Sequence, residues 1–430
     1  MNIRMMKYKN PWLWVSELSF AESLSFVALM TLSMILYKQL GLSNSEITFY
    51  TSWLYLPWVL KPLLRPFLPI IRDKRAYVSM MQLLIGAAFG GVAFFIPSKD
   101  WLQGTLFFFW LMAFATAIHS VFGAAYYEQE PAQRRRFRVK GIYTVFHHLA
   151  IIFGQGVLVM IAGNLQVIYR NSISYSWSLV FYGVAGLFIA FWLWIHYALP
   201  GSREQTKKHQ TNIREQWSDF RQVSYEFLQR PQTWLGLLFA LFYIMPQGLL
   251  VRMSPLFLLD SLRNGGLGLS PQEFGFVQGT VGIIGLALGG LLGGMAIRQS
   301  GLKAWLWPMV LAFTLPDVVY VYLSHAVPTS LMVINLCVFL EQLGYGFGLT
   351  AYMSCLSYYC QGEHKNLYHS LYMSMMALGM LISGLFSGMI QAEVGYKIFF
   401  VIAVVSNMAT FIVVALVRVT GDYGRKSQQV

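Results

Sequence analysis

Among the ionisable residues inside long apolar runs of this sequence, Glu22, Lys61, Arg252, Asp317 and Glu341 stand out. Such a group facing hydrocarbon costs roughly 2.5–3.5 kcal/mol even on a lenient insertion scale, so each should face protein, water or a ligand. Glu22 and Glu341 are carboxyls that can take up and release a proton, and His119, in the fourth apolar run, is a third titratable candidate. Lys61 lies too deep to snorkel to water, and Arg252 lies between two helix-breaking sites, Pro246 and Pro255; both suit pairing with an anionic group. Asp317 follows Pro316. Glu341 precedes Gly344, Tyr345, Gly346 and Gly348, a glycine-opened aromatic surface on which a ligand can meet Tyr345. Lys61, Arg252, Asp317 and Tyr345 are therefore the candidates for contact with a solute, and Glu22, Glu341 and His119 for proton exchange. Each has a packing alternative: a carboxyl or imidazole satisfied by neighbouring helices, or, for Arg252, an anchor at the outer surface. Glu17, His147 and His148, nearer the helix ends, read first as packing residues.

The elements that hold these groups follow from composition. Hydrophobic residues make up 56% of 430 and charged residues 11%, with a mean hydropathy of +0.53, too few ionisable groups to cover a water-soluble globule. The net charge of +13 falls in short clusters between apolar runs, which argues topology and not nucleic-acid binding. The first run, Trp12 to Tyr37, is too long for a signal-peptide core and is expected to stay in the mature protein. Cys337, Cys355 and Cys360 make neither a disulfide framework nor a metal-ligand spacing, so free thiols are expected. There is no phosphate-cradling Gly-rich loop, HExxH or GxSxG, which argues against an enzyme and predicts no cofactor and no metal.

A bilayer core of about 30 Å needs roughly twenty apolar helical residues. Turn signals and charge clusters mark off twelve such spans, near 12–37, 47–71, 76–96, 101–125, 139–162, 176–199, 232–259, 271–297, 303–323, 329–356, 366–391 and 395–419. Sorting the connections alternately puts 23 Lys and Arg on one side and 5 on the other, which predicts that both termini are cytoplasmic. The long hydrophilic connection at 200–231 divides the chain into an N-terminal six-helix half, 1–199, and a C-terminal half, 232–430. It holds an amphipathic stretch over 218–230 suited to the inner membrane surface. Glycines 275, 279, 282, 285, 289, 290, 293 and 294 give the eighth span small-xxx-small spacing for close helix approach. Six spans plus six fit a transporter whose solute site lies between the halves, and short loops favour a monomer.

The stretch Leu56-Pro57-Trp58-Val59-Leu60-Lys61-Pro62-Leu63-Leu64-Arg65-Pro66, running on to Arg72-Asp73-Lys74-Arg75, resembles the second span and following loop of the AmpG-like muropeptide permeases and their acetyl-CoA transporter relatives. Ser254-Pro255-Leu256-Phe257-Leu258, Gly268 to Gly275, Glu341 to Gly346, and Gly379 to Gly395 are similar to the same family. The resemblance implies an all-α major facilitator fold and transport driven by the proton gradient. In the best-known branch it implies import of anhydro-muropeptides across a bacterial inner membrane. The sequence departs from the family pattern in the fourth span, which reads Ala115 to Phe122 without an acidic residue, and in the seventh, which has Tyr243 and Pro246 in place of a Lys/Asp pair. The expectation is a proton-coupled symporter of a polar solute resembling a muropeptide, sugar or peptide, with Arg72, Asp73, Lys74 and Arg75 helping to close the cytoplasmic side. An exporter of the same fold and a transport-inactive sensor or scaffold are the alternatives.

Overall fold

Apolar runs of this length satisfy their backbone groups within a helix. The computed structural model describes residues 10–68, 73–128, 133–170, 172–199, 212–421 and 423–425. Among these it has helices and no strand. In chain order the helices are α1 (Pro11–Gln39), α2 (Asn44–Trp53), α3 (Lys74–Phe95), α4 (Trp101–Tyr127), α5 (Arg138–Ile168), α6 (Ile173–Ala198), α7 (Ile213–Gln229), α8 (Thr233–Leu259), α9 (Pro271–Ser300), α10 (Leu302–Ala326), α11 (Leu331–Tyr359) and α12 (Lys365–Leu416). All but α2 and α7 are long and apolar enough to cross a membrane, which makes ten such stretches among the described residues.

Three of the twelve expected spans, the second, eleventh and twelfth, look different from their sequence outline. The second is α2, then a turn over Leu56–Val59, then a 3-10 stretch over Lys61–Phe67. Pro57, Pro62 and Pro66 remove the amide donors a continuous α-helix needs there. The eleventh and twelfth are the two arms of α12, which turns back on itself at Gly395, φ 73° and ψ 170°, a region that favours glycine: Tyr372 and Met408–Leu416 both pack on Thr233–Phe242, whereas Tyr396 reaches Asp260 at the opposite end. The seventh run breaks after Phe242 and restarts at Met245, beside Pro246 as expected, but α8 carries Pro255 inside its helix. Single π-helical segments interrupt α1 at Ala28–Leu32, α5 at Ile152–Leu158 and α9 at Val277–Gly282.

The starts of the helices are set locally. Ser43 with Glu46 and Ser270 with Glu273 form capping boxes for α2 and α9, and the Asp73 carboxylate caps α3 by accepting from the Ala76 amide at 3.1 Å. The expected amphipathic stretch lies in α7. Its Trp217 ring meets Phe67 edge-on at 6.1 Å, and its one buried residue, Phe227, stacks on Tyr368 at 4.9 Å. Arg72 and residues 200–211 of the central connection lie outside the described residues.

Helices α1 and α3 to α6 pack on one another, as do α8 to α12. The two groups meet where α5 lies on α9 and α2 lies on α12, and where the end of α1 reaches α8. The glycine stripe of α9 serves two contacts. Gly275 and Gly279 lie against Gly156 of α5, while Gly285, Gly289 and Gly293 lie against backbone and side chains of α11 around Phe339, Leu343 and Thr350. A Cβ at Gly279 would overlap the Gly156 backbone, where no flexible side chain can yield. Replacement by alanine there should destabilise the protein by about 1–3 kcal/mol, as overpacking does. Gly123→Ala, at a site with nothing within 4 Å of the added carbon, should be neutral or stabilise by about 0.5–1 kcal/mol. Thermal unfolding of the purified variants in detergent compares the two.

Candidate functional site

A cavity of about 690 Å³ lies between the two groups of helices, walled by α1, α4 and α5 and the segment after α2 on one side, and by α8, α9, α11 and α12 on the other. Lys61, Arg65 and Arg252 bring three cationic side chains to its wall, and Glu341 brings a carboxyl. Aromatic rings make much of the rest. Phe26 packs edge-on against Trp58 at 5.2 Å and Tyr55 at 6.2 Å, and Tyr345 stacks on Phe313 at 5.5 Å.

Arg252 is 1% exposed, which removes the reading as a surface anchor. Its guanidinium lies 4.8 Å from the centre of the Tyr55 ring and donates to the Met30 carbonyl at 3.3 Å and the Thr51 carbonyl at 3.4 Å, so it ties α8 to α1 and α2. Its Nε has no partner.

Glu341 is 2% exposed and accepts from Gln342 Nε2 at 3.0 Å and Gln247 Nε2 at 3.3 Å. Asp317 does not line the cavity, contrary to the expectation for it. It is buried behind Glu341, accepts from Asn407 Nδ2 at 2.8 Å, and shares Gln247 as a neighbour with Glu341. The break in α8 beside Pro246 puts Gln247 between the two carboxyls.

The remaining candidates are placed differently. Glu22 is half-buried, one turn from Phe26, within electrostatic range of Lys61 and of the Tyr143 phenol. His119 is fully buried away from the cavity, with Nε2 at 3.3 Å from Gln82 Nε2. His147 reaches the cavity wall and shares a 2.7 Å hydrogen bond with the Ser23 hydroxyl. Of the basic segment, Asp73 is a helix cap, and Lys74 and Arg75 are half-buried at the same helix start.

Sequence reasoning missed His369, which lines the cavity, and a polar cluster at the opposite end of the bundle from Asp73. There Lys38 Nζ, at the end of α1, lies 2.8 Å from Asp260 Oδ2, the one ion pair among the described residues. Lys38 also donates to Asn44 Oδ1 at 2.8 Å. Asn44 Nδ2 donates to Gln391 Oε1 at 2.9 Å and to the Tyr396 hydroxyl at 2.8 Å, and that hydroxyl donates to Asp260 Oδ2 at 3.0 Å. Asp260 follows α8 in the connection to α9. Burial pushes its carboxyl up, but hydrogen bonds from Lys38 and Asn264, the Lys38 charge and the Tyr396 hydroxyl outweigh that and hold it below the ordinary carboxylate range. An isolated loop carboxylate with partners more than a hundred residues away leaves no local sequence signal.

A sequence profile described as the Major Facilitator Superfamily matches residues 18–361. The anhydromuropeptide permease of Escherichia coli (strain K12) is 24% identical over 200 residues, 46% of this chain and 40% of that protein. A Rickettsia prowazekii (strain Madrid E) protein named as an AmpG transporter is 24% identical over 184 residues, 43% of this chain and 40% of the relative. The matched region thus spans about two fifths of these relatives' length. Among solved structures, the nucleoside transporter NupG superposes with a TM-score of 0.68 at 15% identity, covering 96% of this chain and 100% of NupG. A D-xylose-proton symporter gives 0.67 at 12% identity, with 96% and 97% covered. These likenesses carry the fold, and the AmpG relatives carry the resemblance noted in the sequence. The chain is an integral, multi-pass membrane protein that belongs to the Major Facilitator Superfamily, as a divergent AmpG-like member.

Proposed function

We propose that the protein is a proton-coupled symporter that imports a polar solute bearing a negative charge, by alternating access through the central cavity. The observation that carries this reading is the cavity wall itself: Lys61, Arg65 and Arg252 beside stacked aromatic rings, with one buried carboxyl, Glu341, backed by Gln247 and Asp317. Cations can pair with carboxylate or phosphate, and aromatic faces can cover sugar rings or apolar parts of a solute. Glu341 supplies a group able to exchange a proton next to bound solute. A muropeptide, sugar acid or acidic peptide fits this chemistry, and the E. coli relative's name points the same way.

In this reading residues 1–199 and 232–430 are two six-helix halves that rock against each other on Gly156 and Gly279, and the chain works as a monomer in a bacterial inner membrane. The charge asymmetry supports cytoplasmic termini and a cytoplasmic Asp73–Arg75 segment. The Lys38–Asp260 cluster then closes the periplasmic side, while the cavity runs toward the cytoplasmic end past Lys61, Arg65 and His369.

Uptake of labelled anhydro-muropeptide into proteoliposomes should rise when an inward proton gradient is imposed. Glu341→Gln should lose accumulation against a gradient while retaining solute exchange; full accumulation by that variant removes the coupling role. Lys61→Ala should raise the half-saturating concentration about tenfold or more, since a charge-assisted hydrogen bond contributes roughly 1.5–3 kcal/mol.

The periplasmic cluster has its own signature. Because the Asp260 carboxyl is held below its ordinary range, the contact is fully present above that range and is lost only as pH falls through the lowered value. The gate therefore stays charged at neutral and mildly acid pH. In a cysteine-free background, Gln391→Cys should react faster with an impermeant maleimide when Asp260→Asn is added. Exchanging the charges, Lys38→Asp with Asp260→Lys, should slow it again. Equal rates in all three would rule out the gate.

A further inference from the structure

Behind the cavity, in the interior of α1, α3 and α4, three side chains form a contact that the transport reading does not use. Gln82 Nε2 lies 2.6 Å from Glu17 Oε1 and 3.3 Å from His119 Nε2. Glu17 is 6% exposed, and Gln82 and His119 are fully buried. Glu17 Oε2, Gln82 Oε1 and His119 Nδ1 are all without a partner. No Lys or Arg pairs with Glu17 among the described residues, so its one polar contact is an uncharged amide.

The amide limits who can carry protons. An NH₂ group only donates, so in this arrangement Glu17 Oε1 accepts, as a carboxylate oxygen or the carbonyl oxygen of the neutral acid can, and His119 Nε2 accepts as the bare nitrogen of a neutral imidazole, whose proton sits on Nδ1; it is the one orientation in which the amide can serve an ionised Glu17. Turning the Gln82 amide over puts its carbonyl oxygen toward both neighbours, and an oxygen only accepts. Both neighbours must then donate: Glu17 as the acid, and His119 from Nε2. Amide orientation and imidazole tautomer are therefore linked through this contact.

We propose that Glu17, Gln82 and His119 form a proton-binding site remote from the solute cavity, which takes up one proton as the Gln82 amide turns over. From ionised Glu17, the balance is one proton from water. An O–H bond forms on Glu17, and on His119 the N–H bond at Nδ1 is exchanged for one at Nε2, so the imidazole stays neutral in both states. Two orphaned acceptors and one orphaned donor in the present arrangement make the two states close in hydrogen-bond count, which is what a reversible site requires.

The surroundings contain few competing charges. Tyr127 of α4 acts electrostatically on both Glu17 and Glu22, and Tyr127 also lines the cavity. Tyr143 of α5 acts on Glu22, and His147 of α5 is engaged by Ser23. On α6 the titratable side chains Tyr182, His196 and Tyr197 are exposed. Lys74 and Arg75 of α3 lie about two helical turns from Gln82 in sequence.

The test uses the full chain in lipid, with no solute, so its failure is separable from failure of the transport reading. Solid-state NMR of ¹⁵N-histidine protein, with His119 assigned through His119→Gln, reads the tautomer. Infrared spectroscopy reads the protonated carboxyl C=O band. On lowering pH, His119 should pass from the Nδ1–H to the Nε2–H form with the same midpoint at which one carboxyl band appears. Glu17→Gln should lose that band and the tautomer switch together. Gln82→Leu should keep a titrating band with a moved midpoint and leave His119 in one tautomer. A single His119 tautomer across the pH range, different midpoints for the two wild-type signals, or a switch that survives Glu17→Gln each overturns the proposal. The wild-type signals decide it even where a variant fails to fold.

Discussion

Hydrocarbon offers no hydrogen-bond partner, so every polar atom carried into it must be answered by the protein itself. In this chain the backbone meets that demand through helices. Many of the polar side chains meet it by collecting in three places, beside single contacts such as Arg252 on the Met30 and Thr51 carbonyls: the Lys38–Asp260 cluster between helix ends, the Glu341–Gln247–Asp317 group at the cavity wall, and the Glu17–Gln82–His119 contact inside one helical group. Glutamine and asparagine recur as go-betweens, because an amide can donate to one group and accept from another without adding a charge of its own. The lone ion pair among the described residues sits at a helix terminus, where Lys38 keeps some access to water.

The same constraint shapes how the two helical groups touch. Where α5 meets α9 the contact is backbone on backbone, at Gly156, Gly275 and Gly279, and both helices carry a π-helical segment that includes or adjoins these glycines. Larger side chains enter this seam toward one end, where Met160 lies against Gly275 and Gln272 lies against Gly163 and donates to Asn164 Oδ1 at 3.3 Å, while the backbones at Gly156 and Gly279 meet by close packing. Where α2 meets α12 the contact is polar, with the Ser374 hydroxyl donating to the Val59 carbonyl near one end and Asn44 reaching Gln391 near the other. One seam is built mainly on close glycine contact; the other is held by buried hydrogen bonds.

Much of this was legible in the sequence. Apolar runs and charge clusters marked the helices, because length and composition alone make a segment able to cross hydrocarbon. Pro246 announced the break in α8, and the glycine spacing announced close packing of α9. Mid-run charges at Lys61, Arg252 and Glu341 were found by their cost, and they line one cavity. The rest depended on distance in three dimensions. Asp317 is equally costly but lies behind Glu341, since helix rotation and not depth decides which face meets the cavity. Asp260 looked like an ordinary loop carboxylate, and its partners Lys38, Asn44 and Tyr396 come from three other segments. Glu17 read as a helix-end carboxyl until Gln82, on another helix, stood beside it.

Helix α7 connects the two groups and is anchored to both by rings, Trp217 on Phe67 and Phe227 on Tyr368. Ten residues of helix separate those anchors, a rod of about 15 Å at 1.5 Å per residue. A rod of fixed length acts as a ruler. While both rings stay seated, the end of the segment after α2 and the start of α12 can swing about each other but cannot separate beyond that span. Any wider separation there requires one aromatic contact to let go first, so the connecting helix limits how far its two anchor points can part as well as joining them.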